Sequence, residues 1–326
     1  MRNASLKFIA VVGMSLAGII AAHAQTLQVG PAGPKRPASV PSNFVITPFG
    51  YFHPSCVVHL AQRDELRPSQ GVIRHADGTS AQMPRCGYAH YRADGQAGYG
   101  DEKGAKDPNI SHAWIVSLSM TTTSSFGFLS AEWSVPPTPA VNSGQTLYYF
   151  PALEDFKDVV TIIQPVLGWN SDYPSAWGIA SWNCCKNGTT YEATPQRVSP
   201  GDTILGYMSN TCPRGTLSCS TWNIVTSDLQ NGKSSQLLMT SSFGQTFNWA
   251  FGGVLEVYNV AQCSDYPNNP NGFAGGAHSI SFNEIGLYND SLSQVSPVWA
   301  KTLWAPGANP QCSYSATVPA QALLTY

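Results

Sequence analysis

Gly252-Gly253-Val254-Leu255-Glu256-Val257-Tyr258 is a short apolar run with one carboxylate inside it. A second run, Val159-Val160-Thr161-Ile162-Ile163-Gln164-Pro165-Val166-Leu167, carries one isolated amide, Gln164. Short apolar runs that are rich in β-branched residues and bounded by turn residues are typical of buried strands. Burying a carboxylate in such a run is costly and raises its pKa toward values that are useful for proton transfer. The two runs predict a sheet fold, and they mark Gln164 and Glu256 as candidates for a small hydrolytic site.

Similar runs follow one another through most of the chain after residue 112. Segments rich in Val, Ile, Thr, Tyr, Phe and Trp alternate with clusters of Gly, Pro, Asn and Ser. The turn sequences Pro200-Gly201-Asp202 and Gln230-Asn231-Gly232-Lys233 separate neighbouring runs. The predicted strands are residues 113–120, 126–135, 145–151, 159–167, 175–183, 203–209, 221–227, 235–241, 253–260 and 280–287. This pattern predicts an all-β, antiparallel two-sheet β-sandwich, because each sheet must cover its apolar face.

Residues 1–24 are predicted to be a secretory signal peptide. Arg2 and Lys7 give a basic start, residues 8–22 are almost wholly apolar, and Ala22-His23-Ala24 is a small-x-small cleavage pattern. The protein is therefore expected to be secreted or periplasmic. An uncleaved anchor is the alternative, although the apolar run is short for a membrane-spanning helix.

Charge and proline divide the rest of the chain into three parts. Residues 25–42 form a Pro-rich linker, residues 43–112 an N-terminal region, and residues 113–326 the β-sandwich domain. Residues 25–112 carry nine Lys/Arg and seven Asp/Glu, whereas residues 113–326 carry six Lys/Arg and twelve Asp/Glu. One hypothesis is that the basic part is a prosegment across an acidic groove, released when carboxylates are protonated. The alternative is an additional structural subdomain. No basic stripe indicates nucleic-acid binding.

The chain contains eight cysteines, which fit the oxidising compartment of an exported protein. Two disulfides are predicted, Cys56 with Cys86 and Cys212 with Cys219. The adjacent Cys184 and Cys185 are expected to pair with different partners. A redox or zinc role for these two is disfavoured, because no second Cys-x-x-Cys or Cys/His cluster accompanies them.

The order of segments in the sandwich domain carries a resemblance to a known family. The segments are residues 128–136, 148–154, 162–166, 177–182, 198–204, 222–225 and 253–258. They supply a Trp-Ser-Val-Pro strand end, an Ile-Ile-Gln strand, an aromatic-rich strand, a Gly-Asp-Thr-Ile turn and a Val-Leu-Glu strand. In this order they resemble the eqolisin family of glutamic peptidases, over about residues 113–290. In this chain residues 149–155 replace the family's Trp-x-Gly-Ile-Asp-Gly loop, and Pro165 follows the Gln.

The resemblance implies a concanavalin A-like lectin/glucanase sandwich and the activity of a secreted acid endopeptidase. Gln164 matches the family's catalytic Gln, and Glu256 matches its catalytic Glu. Glu256 would act as the general base on water, while the Gln164 amide would donate a hydrogen bond to the developing oxyanion. The implied substrate is a protein or peptide, without a cofactor, a metal or nucleic acid. The protein is expected to be a monomer, away from the membrane after signal cleavage.

Further polar and aromatic residues are candidates for supporting roles. Glu132, Glu154 and Asp155 are candidates for orienting groups or substrate contacts. The aromatic candidates for a groove that holds an extended peptide are Trp133, Trp169, Trp177, Trp182, Tyr148 and Tyr258. Packing in the core is the alternative role for each aromatic residue.

Two other classes of protein are compatible with this sequence. One is a secreted carbohydrate-binding or glycan-cleaving lectin-like protein, which the abundance of aromatic residues favours. Glycosidases generally need two carboxylates across the scissile bond, and Glu132 is the best second carboxylate beside Glu256. The other class is a non-catalytic member of the fold.

Overall fold

The computed structural model describes residues 36–98, 111–157, 160–268, 278–304, 312–318 and 322–326. The predicted signal peptide and residues 25–35 of the predicted linker lie outside these ranges. In the N-terminal region the strands are β1 (Val45–Thr47), β2 (Gly50–Phe52), β3 (Val57–Leu60), β4 (Glu65–Arg67), β5 (Val72–Arg74), β6 (Ser80–Gln82), β7 (His90–Tyr91) and β8 (Ala97–Gly98). Across the described ranges, single-turn 3-10 helices occupy Pro54–Cys56, Pro68–Gln70, Lys186–Gly188 and Cys263–Asp265.

The sandwich domain contains the longer strands. They are β9 (Trp114–Thr121), β10 (Phe126–Ser134), β11 (Thr146–Glu154), β12 (Ile162–Trp169), β13 (Trp177–Cys184), β14 (Thr190–Ala193), β15 (Gln196–Val198), β16 (Thr203–Asn210), β17 (Thr221–Asp228), β18 (Ser234–Ser241), β19 (Trp249–Tyr258), β20 (Ser279–Asn289), β21 (Ala300–Leu303), β22 (Ser315–Thr317) and β23 (Ala322–Thr325). Each of the ten predicted strands is present, with ends that agree within four residues. The all-β prediction is confirmed, and the five short strands β14, β15 and β21 to β23 are additions to it.

Two large sheets form the sandwich. One has ten strands in the order β22-β23-β20-β10-β16-β17-β18-β4-β5-β6. The other has nine, in the order β21-β9-β19-β11-β12-β13-β14-β3, with β15 beside β13. Large apolar side chains from both sheets, including Trp133, Leu167 and Phe282, fill the space between them. Strands β11 and β12 contain no exposed residue, because both faces of their sheet are covered by other parts of the protein.

The N-terminal region is part of both large sheets. Strand β3 runs parallel to β14, with Val57 opposite Thr190, and β4 meets β18 at Leu238. The remaining strands β1, β2, β7 and β8 form a separate four-stranded sheet. Hydrogen bonds between strands therefore cross the boundary that the sequence suggests near residue 112.

The nine-stranded sheet is buried on both faces, and the second face is the one that concerns function. Because side chains alternate along a strand, Leu147, Tyr149 and Leu153 of β11 point toward the ten-stranded sheet. The intervening residues Tyr148, Phe150 and Ala152 point the other way, where the N-terminal region packs over them. This second face is called the covered face below.

Four disulfides join cysteines within the described residues: Cys56–Cys86, Cys184–Cys185, Cys212–Cys219 and Cys263–Cys312. Both predicted pairs are confirmed. The expectation that Cys184 and Cys185 have different partners was wrong, because the other six cysteines pair among themselves. The described ranges include no helix with the length and apolar character that a membrane crossing requires.

Candidate active site

Glu256 lies near the C-terminal end of β19, level with Tyr148 of β11 and Trp114 of β9, and it is fully buried. Its Oε1 accepts a hydrogen bond from the Tyr258 hydroxyl at 2.5 Å, and its Oε2 accepts one from Trp114 Nε1 at 3.1 Å. Burial raises the pKa of Glu256 to about 8, although hydrogen bonds from Tyr258, Ser111 and Trp114 oppose this rise. In the covered state Glu256 is therefore mainly a neutral acid at pH values well below 8, and this protonated form does not accept a proton.

Gln164 lies on the same face as Glu256. It is directly opposite Trp182 of β13, whose indole packs on the covered face. The side chain of Gln164 is fully buried, and neither Oε1 nor Nε2 has a hydrogen-bond partner among the described residues. A buried amide without partners costs about 1–3 kcal/mol, so its presence calls for an explanation.

The strand register separates these two residues. Glu256 is level with Tyr148, and Tyr148 is level with Gly168, four residues along β12 from Gln164. With a rise of about 3.4 Å per residue and two strand spacings of about 4.8 Å, the two Cα atoms are roughly 17 Å apart. The covered face therefore holds both side chains without bringing them into contact.

The ladder between β11 and β12 is interrupted beside Gln164. Tyr149 is opposite Leu167 and Leu153 is opposite Ile163, with no regular pairs between. This register places Pro151 level with Pro165. Because proline has no N–H, neither residue can donate to the ladder.

Glu154 is the carboxylate nearest to Gln164 along the sheet. It is opposite Ile162 and Trp249, two residues that contribute to the covered face, and it is fully buried. Gln164 is level with Ala152, so Glu154 occupies the diagonal position on the neighbouring strand. Diagonal Cα atoms are about 7–8 Å apart, within reach of two long side chains.

The residues that lie opposite one another on neighbouring strands form a row across the sheet, and the row that contains Gln164 continues over three more strands. Trp182 is opposite Glu192 of β14, and Glu192 is opposite His59 of β3. His59 Nδ1 is 2.8 Å from Glu192 Oε2. Burial and the neighbouring Asp172 carboxylate raise the pKa of the Glu192 carboxyl well above its usual range.

A cavity of about 180 Å³ adjoins this row and is lined by Asp172, Trp182 and Glu192 on the sandwich side. Sequence reasoning missed Glu192. The same signal that marked Glu256, an isolated carboxylate in a strand-like run, is present in Thr190-Tyr191-Glu192-Ala193.

Aromatic contacts hold the N-terminal region against the covered face. Phe49 packs edge-on against Trp182, with ring centroids 5.9 Å apart. Tyr51 packs edge-on against Tyr258 at 5.5 Å, and its hydroxyl donates a hydrogen bond to Asn259 Oδ1 at 3.2 Å. The groups beside Gln164 and Glu256 are thus closed off by this region.

Of the other predicted site residues, four lie on the covered face, Glu154, Tyr148, Trp182 and Tyr258, and the rest lie elsewhere. Trp133, Trp169 and Trp177 pack between the two large sheets, because alternation turns them away from the covered face. They are core residues and do not line a groove on that face. Glu132 alternates with Ala131 and Trp133 on β10 and therefore points outward from the ten-stranded sheet.

Asp155 organises a loop next to the covered face. Its Oδ1 accepts a hydrogen bond from the backbone N–H of Lys157, and its Oδ2 accepts one from that of Thr246, both at 2.9 Å.

No group of three or more His, Cys, Asp or Glu side chains in the described ranges could hold a metal ion.

No protein-family model matches the sequence, and no curated protein is significantly similar to it. Scytalido-glutamic peptidase with a peptide-based transition state analog is a similar solved structure, with 15% identity and a TM-score of 0.46. SCP-B, a member of the eqolisin family in a complex with the tripeptide Ala-Ile-His, has 17% identity and a TM-score of 0.44. Both matches cover 66% of this chain and 98% of the other.

Aspergilloglutamic peptidase from Aspergillus niger is also similar, with 14% identity, a TM-score of 0.38, and coverage of 56% of this chain and 98% of the other. At these identities and TM-scores the likeness concerns the arrangement of strands and does not extend to the residues of a site.

Proposed function

We propose that this chain is the precursor of a secreted, acid-active endopeptidase whose active site is the covered face. The observation that supports it is the concentration there of four fully or almost fully buried polar side chains, those of Glu154, Gln164, Glu192 and Glu256. Packing alone favours apolar groups at such positions, because polar groups lose hydration when they are buried. Buried carboxyl groups with shifted pKa values are typical of sites that transfer protons.

The chemistry follows from the groups available. The Gln164 amide donates a hydrogen bond to the oxyanion that forms when water attacks a peptide carbonyl. This donor is neutral, so it works equally well in acid. A carboxylate on the same face removes the proton from water and returns it to the leaving amine.

Glu256 is the carboxylate that the sequence resemblance indicates for this role. A general base must lie within hydrogen-bond reach of the water, directly or through one further water. The strand register separates Glu256 from Gln164 by roughly 17 Å, estimated from strand geometry. The covered face as a whole is therefore the proposed site.

Residues 25–112 act as a prosegment in this proposal. Phe49 and Tyr51 shield the face, so an extended substrate can reach Gln164 only after they leave. Removing them would also rehydrate Glu256 and lower its pKa from about 8 toward the range of a working base. A permanent subdomain is the alternative, because β3 is hydrogen-bonded to β14.

The test is proteolysis by the purified full chain. Wild type, Gln164→Ala and Glu256→Gln are incubated with a denatured protein at pH 3–4 and at pH 7, with N-terminal sequencing of the chain itself. We expect cleavage in acid after loss of residues 25–112, and a fall of about 10²–10³ in turnover for Gln164→Ala. A folded, processed chain that cleaves nothing at either pH would contradict the proposal. Full activity of an unprocessed chain would contradict the prosegment alone.

A further inference from the structure

We infer that Glu154 is the carboxyl group that works with Gln164, as the general base of the hydrolysis proposed for the covered face. This assignment rests on that proposed function. It replaces Glu256, which the order of sequence segments indicates, with the carboxyl that the strand register places beside the amide.

The register argument needs only neighbouring strands. Glu154 is opposite Ile162, and Leu153 is opposite Ile163, so Gln164 is level with Ala152 and diagonal to Glu154. Both long side chains leave the sheet on the covered face, and both are fully buried. A diagonal pair at about 7–8 Å between Cα atoms is within reach of two long side chains.

A small side chain lies beside Gln164 in its row across the sheet. The row through Gln164 continues to Ala152 and then to Phe251 of β19. Ala152 has the smallest side chain of these three. The ladder gap between Pro151 and Pro165 lies next to this position, since neither proline can donate an N–H.

The other carboxyl groups of the face are less well placed. Glu256 lies two strands away from Gln164 and four residues out of line with it. Glu192 is in line with Gln164, but the indole of Trp182 stands between them. Only Glu154 shares a strand pair with Gln164.

The step balances with water as the co-reactant. The Glu154 carboxylate takes a proton from water as the water oxygen bonds to the carbonyl carbon. The π electron pair of the carbonyl moves to its oxygen, which accepts a hydrogen bond from Gln164 Nε2. The C–N bond then breaks as the carbonyl re-forms, and the proton on Glu154 passes to the leaving nitrogen.

The first test compares three isosteric substitutions in the full chain: Glu154→Gln, Glu256→Gln and, as a control, the exposed Glu284→Gln. Turnover of a denatured protein is measured from pH 3 to 7 after processing, and folding is checked by thermal melting. We expect a loss of about 10²–10⁴ for Glu154→Gln, a smaller loss for Glu256→Gln, and turnover within a few-fold of wild type for the control Glu284→Gln. A folded Glu154→Gln protein with wild-type turnover would overturn the assignment.

A second readout is independent of proteolysis. Carboxyl-labelled glutamate allows the titration of Glu154 to be followed by NMR in wild type and in Gln164→Leu. Because removal of an adjacent amide changes the environment of the carboxyl group, we expect its titration midpoint to move, while that of Glu284 stays. An unmoved Glu154 midpoint would show that the two groups do not interact and would overturn the pairing. If wild type cleaves no protein but the midpoint moves, the proposed function fails and the pairing stands.

Discussion

Phe52 and His90 stack face to face inside the N-terminal region, with ring centroids 4.9 Å apart and an interplanar angle of 5°. Burial, with a smaller contribution from the positive charge of Arg92, lowers the pKa of His90 to about 4. The usual histidine pKa is about 6.5, so between these values the unfolded state binds more protons. The stability from neutral His90 is therefore present above pH 6.5 and is lost as pH falls toward 4.

The first prediction concerns this histidine. Its lowered pKa should reduce the free energy of unfolding by about 3 kcal/mol between pH 7 and pH 4. His90→Phe keeps a planar ring against Phe52 and should remove this part of the pH dependence. Urea unfolding at pH 7, 5.5 and 4 measures it, with His278→Gln, at an exposed position, as the control. Identical pH dependence in wild type and His90→Phe would contradict the prediction.

The second prediction concerns Glu256 and has the opposite sign. Its pKa is raised to about 8 in the folded chain from 4.5, so the folded state binds more protons between these values. The stability that depends on protonated Glu256 is fully present below pH 4.5. It is lost as pH rises through 8, which lowers the free energy of unfolding by about 4 kcal/mol. Glu256→Gln should therefore gain stability relative to wild type as pH rises. Parallel stability curves for the two proteins from pH 4.5 to 8 would contradict this.

These two titrations bear on release of the N-terminal region. Protonation of His90 weakens that region in acid, whereas protonation of Glu256 favours the covered state. Of these two groups, His90 favours opening in acid and the carboxyl group of Glu256 opposes it. For Glu256 this direction is opposite to the hypothesis that protonated carboxylates loosen the contact, and the hypothesis stays a prediction for the remaining carboxyl groups.

The third prediction concerns the packing of the N-terminal region on the covered face. Phe49 is buried against Trp182, so Phe49→Ala should weaken the packing of the N-terminal region by about 3–4 kcal/mol. Added protease should then cut residues 43–112 faster at pH 7, with no change in the sandwich strands. Leu217→Ala, at a half-exposed side chain, is the control. Unchanged cleavage rates for Phe49→Ala would show that Phe49 does not hold the N-terminal region against the covered face.

The fourth prediction concerns the close approach of the two large sheets at Gly206. A Cβ there would lie 2.5 Å from the Trp133 ring and 2.7 Å from Pro165 Cγ, two groups that cannot easily move aside. Gly206→Ala should therefore cost about 1–3 kcal/mol through overpacking. Gly87→Ala, where a Cβ would meet nothing within 4 Å, should be nearly neutral. Chemical denaturation of both variants decides, and equal midpoints would contradict the prediction.

The fifth prediction compares two disulfides by the length of chain that they close. Cys263–Cys312 spans 49 residues and Cys212–Cys219 spans 7. Loop-closure entropy predicts a stabilisation of about 4 kcal/mol for the long loop and about 2.5 kcal/mol for the short one. Replacing each pair by alanine and measuring the free energy of unfolding checks the order. A larger loss for the short loop would contradict it.

The sequence by itself determined the features that depend on neighbouring residues. Alternation and turn residues located the ten principal strands, because side chains and turns act over a few positions. Proximity along the chain also identified Cys212 and Cys219 as partners. The isolated polar residues Gln164 and Glu256 were recognised for the same reason.

Only the tertiary structure decided what depends on register and on distant partners. Whether a tryptophan side chain points into the core depends on which face of its strand meets the second sheet. The side chains of Trp169 and Trp177 are on that face and pack in the core. The parallel pairing of β3 with β14 joins residues more than 130 positions apart, which no local pattern encodes. The pairing register decides which residues of neighbouring strands lie opposite each other. It places Gln164 diagonal to Glu154 and away from Glu256.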